Sequence, residues 1–189
     1  MPDTDKKTIL SQFKPIRLIA MDVDGVLTDG AVIYDSHQRE VKQFSVLDGL
    51  GIQLALYAGI PVVWITGRSS EAVQKRADEL KVTHLYMGTK NKSIPVAELM
   101  AKYGLQSKHV AYIGDDLNDL PAFSLAGVKF APPNAVGEIS ALADFVTSKP
   151  GGSGAVREMI DTILKAKELW NGAVEAFLAE SMKPSETKA

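Results

Sequence analysis

Residues 16–26 read Ile-Arg-Leu-Ile-Ala-Met-Asp-Val-Asp-Gly-Val, and this stretch predicts both the fold and the place of its chemistry. The apolar run predicts a short buried strand, because it ends at a turn signal that contains a glycine. Asp22 and Asp24 leave the end of that strand one residue apart. Burial of two like charges so close together is costly unless a cation or a bound phosphate balances them. The segment therefore indicates a chemical site rather than a solvated turn.

The composition of the 189-residue chain is that of a soluble globular protein, with 46% hydrophobic and 23% charged residues. A net charge of −2 does not favour nucleic acid or an anionic membrane as a partner. The absence of cysteine excludes disulfides, thiolate metal sites and cysteine nucleophiles. The polar N-terminus has no apolar segment of signal-peptide type, so we expect a cytoplasmic location. We assign residues 8–170 to one domain and residues 171–189 to a C-terminal tail.

Strand and helix patterns alternate along the chain, which predicts an α/β fold. We expect a Rossmann-like, doubly wound, mainly parallel sheet with helices on both faces. A pattern of two short apolar runs around a polar loop predicts a small β-hairpin insertion at about residues 31–44. Asp48 is the predicted N-cap of a helix over residues 49–58, and further helices are predicted over residues 117–125 and 155–169. These spacings leave no room for a cap domain.

Three polar signals follow predicted strands: Asp22 with Asp24, then Thr66, then Asp115 with Asp116. Because parallel strands present their carboxyl ends at one edge of a sheet, we expect these side chains to converge. Carboxylates of Asp22, Asp24 and Asp115 would surround one point with hard oxygen ligands, which suits Mg²⁺. The scattered histidines offer no comparable cluster for zinc.

Four motifs in this order resemble those of the haloacid dehalogenase-type phosphatases. They are Asp22-Val23-Asp24-Gly25-Val26, Thr66 after an apolar strand, Lys92 at a helix start, and Gly114-Asp115-Asp116-Leu117-Asn118-Asp119. Each motif alone is weak, whereas the ordered set is specific. The resemblance implies that Asp22 attacks phosphorus to form an aspartyl-phosphate. It also implies that Asp24 protonates the leaving alkoxide and then deprotonates the attacking water.

The same resemblance implies roles for the remaining motif residues. Thr66 donates its hydroxyl to a phosphoryl oxygen, and Lys92 supplies positive charge to the phosphate. Asp115 ligates Mg²⁺ together with the Asp22 carboxylate and the backbone carbonyl of Asp24. Taken alone, a threonine such as Thr66 is more often a strand-end or N-cap hydroxyl, and a lysine such as Lys92 is usually a surface residue in the first turn of a helix.

Two further acidic residues, Asp116 and Asp119, are expected to orient Lys92 and the waters on the metal. Residues 22–30, 48–52, 66–68, 91–92 and 151–158 also resemble a subfamily that removes phosphate from 3-deoxy-D-manno-octulosonate 8-phosphate in lipopolysaccharide synthesis. This narrower resemblance implies a homotetramer. In it the hairpins pack centrally and a neighbour's residues close each site, so the partners are a phosphorylated sugar acid and other copies of the chain.

Substrate contacts implied by the subfamily resemblance involve, besides Asp24, Thr66 and Lys92, the residues Asp48, Gly49, Arg68 and Arg76. We place both arginines on one face of the helix that follows Thr66, where a guanidinium suits bidentate capture of the substrate's carboxylate. Solvated charges on a helix face are the alternative for both. Ser45 and Gln53 depart from the subfamily, in which we expect asparagine and often a basic residue.

Three alternatives remain open from the sequence. A related phosphatase of nine-carbon nonulosonate 9-phosphates shares the carboxylate-bearing substrate and the uncapped fold. A non-enzymatic binding or scaffold protein could keep this fold, although the intact motif set argues against it. Residues 151–154, Gly-Gly-Ser-Gly, suit either a plain linker or a tail at the active site.

Overall fold

The computed structural model describes residues 11–182, and its centre is a six-stranded sheet whose strands are all parallel. The strands are β1 (Leu18–Met21), β4 (Val62–Ile65), β5 (His84–Tyr86), β6 (Val110–Ile113), β7 (Val128–Ala131) and β8 (Phe145–Val146). They lie in the order β5–β4–β1–β6–β7–β8. A separate antiparallel pair, β2 (Ile33–Tyr34) and β3 (Glu40–Val41), forms the predicted hairpin. The Rossmann-like α/β class is confirmed, while residue 8, the predicted start of the domain, lies outside the described residues.

Seven α-helices accompany the strands within residues 11–182. They are α1 (Val46–Tyr57), α2 (Glu71–Leu80), α3 (Ser93–Tyr103), α4 (Leu120–Phe123), α5 (Gly137–Leu142), α6 (Ala155–Ala166) and α7 (Trp170–Ser181). None of these helices has the length and apolarity that crossing a membrane requires.

Alternation along β1 divides the core between the two faces of the sheet. Ile19 and Met21 pack with the buried side chains of α1, α2 and α6, whereas Leu18 and Ala20 pack with those of α3, α4 and α5. All four residues of β1 are fully buried, which accounts for a continuous apolar run rather than an alternating one. The helices of both faces therefore hold β1 rigidly at the centre of the sheet.

The order of the strands reverses direction at β1. From β1 the chain moves outward to β4 and β5, and then returns to β6 on the other side and continues to β7 and β8. Met21 is in register with Trp64 of β4 and with Ile113 of β6, so these strands end at one level. In doubly wound sheets the crevice at such a reversal is where ligands bind. The loops after β1 and β6 open that crevice.

The start of α1 differs from its prediction. The helix begins at Val46, and the Ser45 hydroxyl oxygen accepts hydrogen bonds from the backbone N–H groups of Leu47 at 3.2 Å and Asp48 at 3.5 Å. Ser45 is therefore the N-cap, and Asp48 lies inside the first turn. A serine three residues upstream of Asp48 was a competing cap signal.

The predicted helices over residues 117–125 and 155–169 also differ from the structure. The first contains a 3₁₀ turn (Leu117–Asp119) followed by the short α4, whose first turn contains Pro121. The second ends at Ala166, and Glu168 adopts a left-handed φ of 59° before α7 begins. The sequence interpretation assigned α7 to the tail, yet its Ala173 is buried in the core around α1.

We expect Gly51→Leu and Gly172→Leu to change stability in opposite directions, although both positions are helical glycines. A Cβ at Gly51 would lie 3.1 Å from the Cα of Arg157 on α6, whereas Gly172 has open space. Overpacking at Gly51 should lower the free energy of unfolding by about 1 to 3 kcal/mol. Helix propensity at Gly172 should raise it by about 0.5 to 1 kcal/mol. Urea unfolding measures both, and equal effects at the two positions would contradict the tight α1–α6 contact.

Candidate active site

The loop after β1 meets the loop after β6 at Gly25. Asp22 is buried, and its backbone N–H donates to the carbonyl of Ile113 at 3.1 Å. Gly25 has a φ of +88°, and a Cβ built there would lie only 1.9 Å from Oδ2 of Asp115. A glycine is thus required at this position by backbone conformation and by space. Its absence of a side chain lets the carboxylates of Asp22 and Asp115 approach each other.

Lys92 joins these loops from the N-terminal end of α3. Its Nζ lies 2.8 Å from Oδ1 of Asp22 and 2.8 Å from Oδ1 of Asp119, and the residue is only 1% exposed. Burial by itself lowers the pKa of Lys92, but attraction to the two carboxylates outweighs it and raises this pKa above its ordinary value. Lys92 is therefore a buried, charged ammonium in contact with Asp22, and not a surface lysine.

Asp119 is fully buried and its oxygens are occupied by four donors. Oδ1 accepts from Lys92 and from the Tyr112 hydroxyl, both at 2.8 Å. Oδ2 accepts from the backbone N–H groups of Asp115 at 2.9 Å and Asp116 at 3.2 Å. Asp119 thus orients Lys92 directly. The sequence interpretation missed Tyr112, although a tyrosine at the end of a buried strand needs a partner for its hydroxyl.

Asp116 does not orient Lys92 as expected, while its expected contact with waters on the metal stays a prediction. It is exposed, and its Oδ1 accepts from the N–H of Leu117 at 2.7 Å, which caps the 3₁₀ turn after β6. The described neighbours of Lys92 from this segment are instead Asp119 and Asn118, whose Oδ1 accepts from Nζ at 3.3 Å. A capping role is the usual one for an aspartate at such a turn.

Carboxylate oxygens of Asp22, Asp115 and Asp119 lie within 4.8 Å of one another. Burial, reinforced by the charge of Asp119, raises the pKa of Asp22 to about 8 and that of Asp115 to about 7, although Lys92 opposes both shifts. Oδ1 of Asp115 is buried without a hydrogen-bond partner among the described residues. A cation between Asp22 and Asp115 would satisfy this oxygen and keep both carboxylates ionised, and an all-oxygen donor set fits Mg²⁺.

Asp24 and Thr66 lie together at the neighbouring strand end. The Thr66 hydroxyl is 3.5 Å from Oδ2 of Asp24 and accepts from the backbone N–H of Arg68 at 3.1 Å. Thr66 is 1% exposed, so the hydroxyl is fixed in direction. Oδ1 of Asp24 forms an ion pair with Nζ of Lys42, which comes from the hairpin. The sequence interpretation did not single out Lys42.

The two arginines do not share a helix face. Arg68 precedes α2, and its exposed guanidinium pairs with Glu40 of the hairpin at 2.8 Å. Arg76 lies within α2 and pairs with Glu79 at 3.2 Å. Its Nη2 lies so close to Gly49 that a Cβ at this glycine would be only 2.4 Å away. The prediction of a single face is wrong, because α2 begins only at Glu71 and the eight-residue spacing spans a loop. Arg68 lies beside the site, and Arg76 lies against α1.

Asp48 is buried against the start of α6. It is 1% exposed, its Oδ1 accepts from the N–H of Arg157 at 2.8 Å, and its Oδ2 accepts from the N–H of Gly154 at 3.1 Å. Burial raises the pKa of Asp48, although these backbone hydrogen bonds oppose the shift. The carboxylate thus holds the N-terminus of α6, where unpaired N–H groups and the helix dipole favour an anion. Both carboxylate oxygens of Asp48 accept from α6, and its expected contact with substrate stays a prediction.

The glycine-rich segment 151–154 packs directly on the loop after β1. Asn134 bridges the two, since its Nδ2 donates to the carbonyl of Gly25 at 2.9 Å and its Oδ1 accepts from the N–H of Gly151 at 2.8 Å. The N–H of Gly152 donates to the carbonyl of Val26 at 2.9 Å. A Cβ at Gly151 would lie 1.9 Å from the Gly25 oxygen. The segment is therefore part of the site's wall, and Asn134 is a bridging residue that the sequence did not reveal.

Comparison with known proteins identifies relatives of this chain. The family of haloacid dehalogenase-like hydrolases matches residues 84–160. The 3-deoxy-D-manno-octulosonate 8-phosphate phosphatase KdsC of Escherichia coli K12 is 42% identical over 159 residues, which are 84% of this chain and 85% of that protein. The corresponding phosphatase of Yersinia pestis is 40% identical over 165 residues, 87% of this chain and 88% of its own length.

Solved structures give the same result. The 3-deoxy-D-manno-octulosonate 8-phosphate phosphatase of Moraxella catarrhalis, in complex with a magnesium ion, a phosphate ion and KDO, is 44% identical with a TM-score of 0.86. That match covers 90% of this chain and 98% of the other. The cobalt-bound enzyme of Haemophilus influenzae is 38% identical with a TM-score of 0.82, and the match covers 88% of this chain and 99% of the other.

We expect Mg²⁺ to raise the melting temperature more at pH about 8.5 than at pH about 5.5. Without metal, the raised pKa values of Asp22 and Asp115 let the folded protein hold protons that the unfolded chain has already lost. The stability of the metal-free protein therefore falls as the pH rises from about 4 to about 8, and a bound cation offsets the loss. Thermal unfolding with Mg²⁺ or with EDTA at both pH values measures the difference.

The variant Asp115→Asn should lose most of the Mg²⁺-dependent shift, whereas Asp78→Asn, on the exposed face of α2, should keep it. A shift of equal size at the two pH values, or one retained in Asp115→Asn, would contradict a cation held by these carboxylates.

Proposed function

Because the chain belongs to the family of 3-deoxy-D-manno-octulosonate 8-phosphate phosphatases, within the haloacid dehalogenase-like hydrolases, we propose that it hydrolyses the phosphate ester of this eight-carbon acid sugar. The observation that supports the proposal is the position of Asp22, between Lys92 and Asp115 in the crevice beside β1. The products are the free acid sugar and phosphate. As the resemblance of the sequence implies, we place this reaction in lipopolysaccharide synthesis.

The first step is attack of an Asp22 carboxylate oxygen on phosphorus. The new oxygen–phosphorus bond forms as the bond from phosphorus to the sugar oxygen breaks, which leaves a phosphate ester on Asp22. Lys92 faces Oδ1 of Asp22 at 2.8 Å and places positive charge where the phosphoryl oxygens gather negative charge. Asp119 and Tyr112 keep Lys92 in this position.

Asp24 moves the protons of both steps. Its carboxyl group gives a proton to the departing sugar oxygen, and its carboxylate then takes one from the water that attacks the phosphorylated Asp22. Hydrolysis breaks the bond between Asp22 and phosphorus and restores both aspartates. Thr66, fixed beside Asp24, offers its hydroxyl to a phosphoryl oxygen.

Mg²⁺, held by Asp22, Asp115 and the backbone carbonyl of Asp24, would supply further positive charge against the phosphoryl oxygens. Orphaned Oδ1 of Asp115 and the raised pKa values of the cluster support this assignment. The single positive charge of Lys92 does not balance the three carboxylates of Asp22, Asp115 and Asp119. The chain's own part is to hold these carboxylates close together behind Gly25.

Recognition of the sugar acid involves two places. We propose that Arg68, exposed beside Thr66, binds the substrate's carboxylate as a guanidinium fork does. Arg76 and Gly49 lie together on α2 and α1, and we propose that they meet the substrate of a neighbouring copy. Asp48 supports α6, directly after the wall formed by residues 151–154.

A homotetramer is the assembly that we propose. Six exposed apolar residues form the hairpin patch on the hairpin and the start of α1: Val32, Ile33, Tyr34, Val41, Val46 and Leu47. Val46 is 78% exposed and Tyr34 is 60% exposed, which is unfavourable for a patch that faces water. A second copy packed on the hairpin patch would bury it and, since no cap domain is present in residues 11–182, would also cover the open site.

We expect purified protein to release phosphate from 3-deoxy-D-manno-octulosonate 8-phosphate in a Mg²⁺-dependent reaction, and Asp22→Asn to lower kcat by at least about a thousandfold. The amide removes the nucleophile but keeps the shape of the side chain. Phosphate release, measured with and without EDTA, tests both statements. Asp78→Asn is the matched surface control.

The substrate class is tested by comparing kcat/KM for this ester with that for a nine-carbon nonulosonate 9-phosphate. Preference for the nine-carbon ester would contradict the proposed substrate but not the phosphatase chemistry. Undiminished turnover by Asp22→Asn would contradict the nucleophile.

For the assembly, we expect a mass of four chains by light scattering, and a smaller species for the double variant Val32→Glu, Val46→Glu. Both side chains are more than half exposed, so the charges should not disturb the fold of one chain. Leu142→Glu, on α5, is equally exposed and lies outside the hairpin patch, so this variant should remain a tetramer. A wild-type monomer with full activity would contradict the shared site.

A further inference from the structure

Lys42 is a charged residue of the hairpin whose side chain is only 1% exposed. Its neighbours on the hairpin, Val41 and Gln43, are exposed, so the burial of Lys42 is not a general property of this segment. The Nζ atom forms ion pairs with Oδ1 of Asp24 and, at 3.3 Å, with Oε1 of Glu40. Withdrawing an ammonium group from water is costly unless such partners are present.

A line of alternating charges passes through Lys42. Oε1 of Glu40 accepts from Nη2 of Arg68 at 2.8 Å and from its Nε at 3.3 Å. The order is thus Arg68, Glu40, Lys42, Asp24, and it joins the loop after β4 to the loop after β1 through the hairpin. Arg68, which is proposed to bind the sugar acid, is thus connected through ion pairs to Asp24, which is proposed to transfer protons.

The effect on Asp24 is orientation. Lys42 takes Oδ1, while Oδ2 faces the Thr66 hydroxyl at the longer distance of 3.5 Å. The Asp24 side chain remains 23% exposed, so part of it is accessible to a ligand. Without Lys42, the long Thr66 contact alone would hold a carboxyl group that has two rotatable bonds. General acid catalysis depends on the position of the acid within hydrogen-bond reach of the leaving oxygen.

We propose that Lys42 is a positioning residue for ester cleavage: it holds Asp24 where its carboxyl group meets the departing sugar oxygen, and Glu40 and Arg68 hold Lys42 in turn. The inference rests on the proposed function, and it adds a hairpin residue to the machinery. Lys42 acts through Asp24 and does not bond to phosphorus.

A positioning role can be separated from a structural one by the leaving group. An alkoxide such as that of 3-deoxy-D-manno-octulosonate needs a proton as it departs, whereas p-nitrophenolate does not. Loss of orientation at Asp24 should therefore slow cleavage of the sugar ester but leave the cleavage rate of p-nitrophenyl phosphate almost unchanged. The ratio kcat/KM reports events up to the first irreversible step, which is formation of the phosphorylated Asp22.

The test variant is Lys42→Met, which keeps the length and the apolar stem. We expect kcat/KM to fall by about 10- to 100-fold for 3-deoxy-D-manno-octulosonate 8-phosphate and by no more than about threefold for p-nitrophenyl phosphate. Lys42→Arg should recover part of the loss. Lys75→Met, at an exposed position of α2, should leave both ratios unchanged. In an Asp24→Asn background, Lys42→Met should cause no further loss, because the group that it positions is gone.

Equal losses for the two esters, or a further loss in the Asp24→Asn background, would overturn the positioning role, and unchanged kinetics of Lys42→Met would do so as well. Circular dichroism and light scattering verify the fold and assembly of each variant, and Lys42→Gln replaces Lys42→Met should the latter not fold. Failure of the wild type to hydrolyse the sugar ester would instead contradict the proposed function. The same comparison then uses whichever alkyl phosphate the wild type cleaves.

Discussion

A buried ammonium group, that of Lys92, lies 2.8 Å from carboxylates on two separate loops, Asp22 after β1 and Asp119 after β6. Each of these charges would be unfavourable alone at such a buried position, whereas together they stabilise one another. The arrangement forces three segments that are distant in sequence to meet at one point. Asp119 then fixes the backbone of Asp115 and Asp116, so the turn after β6 takes its shape from the same charges.

The order of the strands brings the loops after β1 and β6 together, and the charged side chains on these loops form the site. β1 and β6 are hydrogen-bonded neighbours at the reversal of the sheet, and their ends lie at one level. Gly25 removes the side chain that would otherwise separate Asp22 from Asp115. The remaining excess of negative charge is what a divalent cation would balance.

The sequence predicted the features that depend on local patterns of residues and on the order of motifs along the chain. Continuous apolar runs identified the buried strands, and the polar residues after them identified Asp22, Asp24, Thr66 and Asp115. Contacts made by long side chains across the fold were not predictable in this way. Nothing local distinguishes Lys42 from an exposed hairpin lysine, and nothing local turns Asp48 toward α6. The prediction that Arg68 lies on a helix was wrong, because the helical spacing was applied to residues 68–70, which precede α2.

The close contact of residues 151–152 with the loop after β1 bears on how this chain can change in length. Gly151 lies against the Gly25 carbonyl so tightly that even one added carbon would collide with it. Inserted residues directly after Gly25 would have to displace this segment and break the Asn134 bridge. The hairpin lies further along the chain, and the residues at its tip, 36–39, are exposed. A new domain at Gly25 therefore requires the glycine-rich segment to be given up first, whereas residues added at the exposed tip of the hairpin would leave this segment in place.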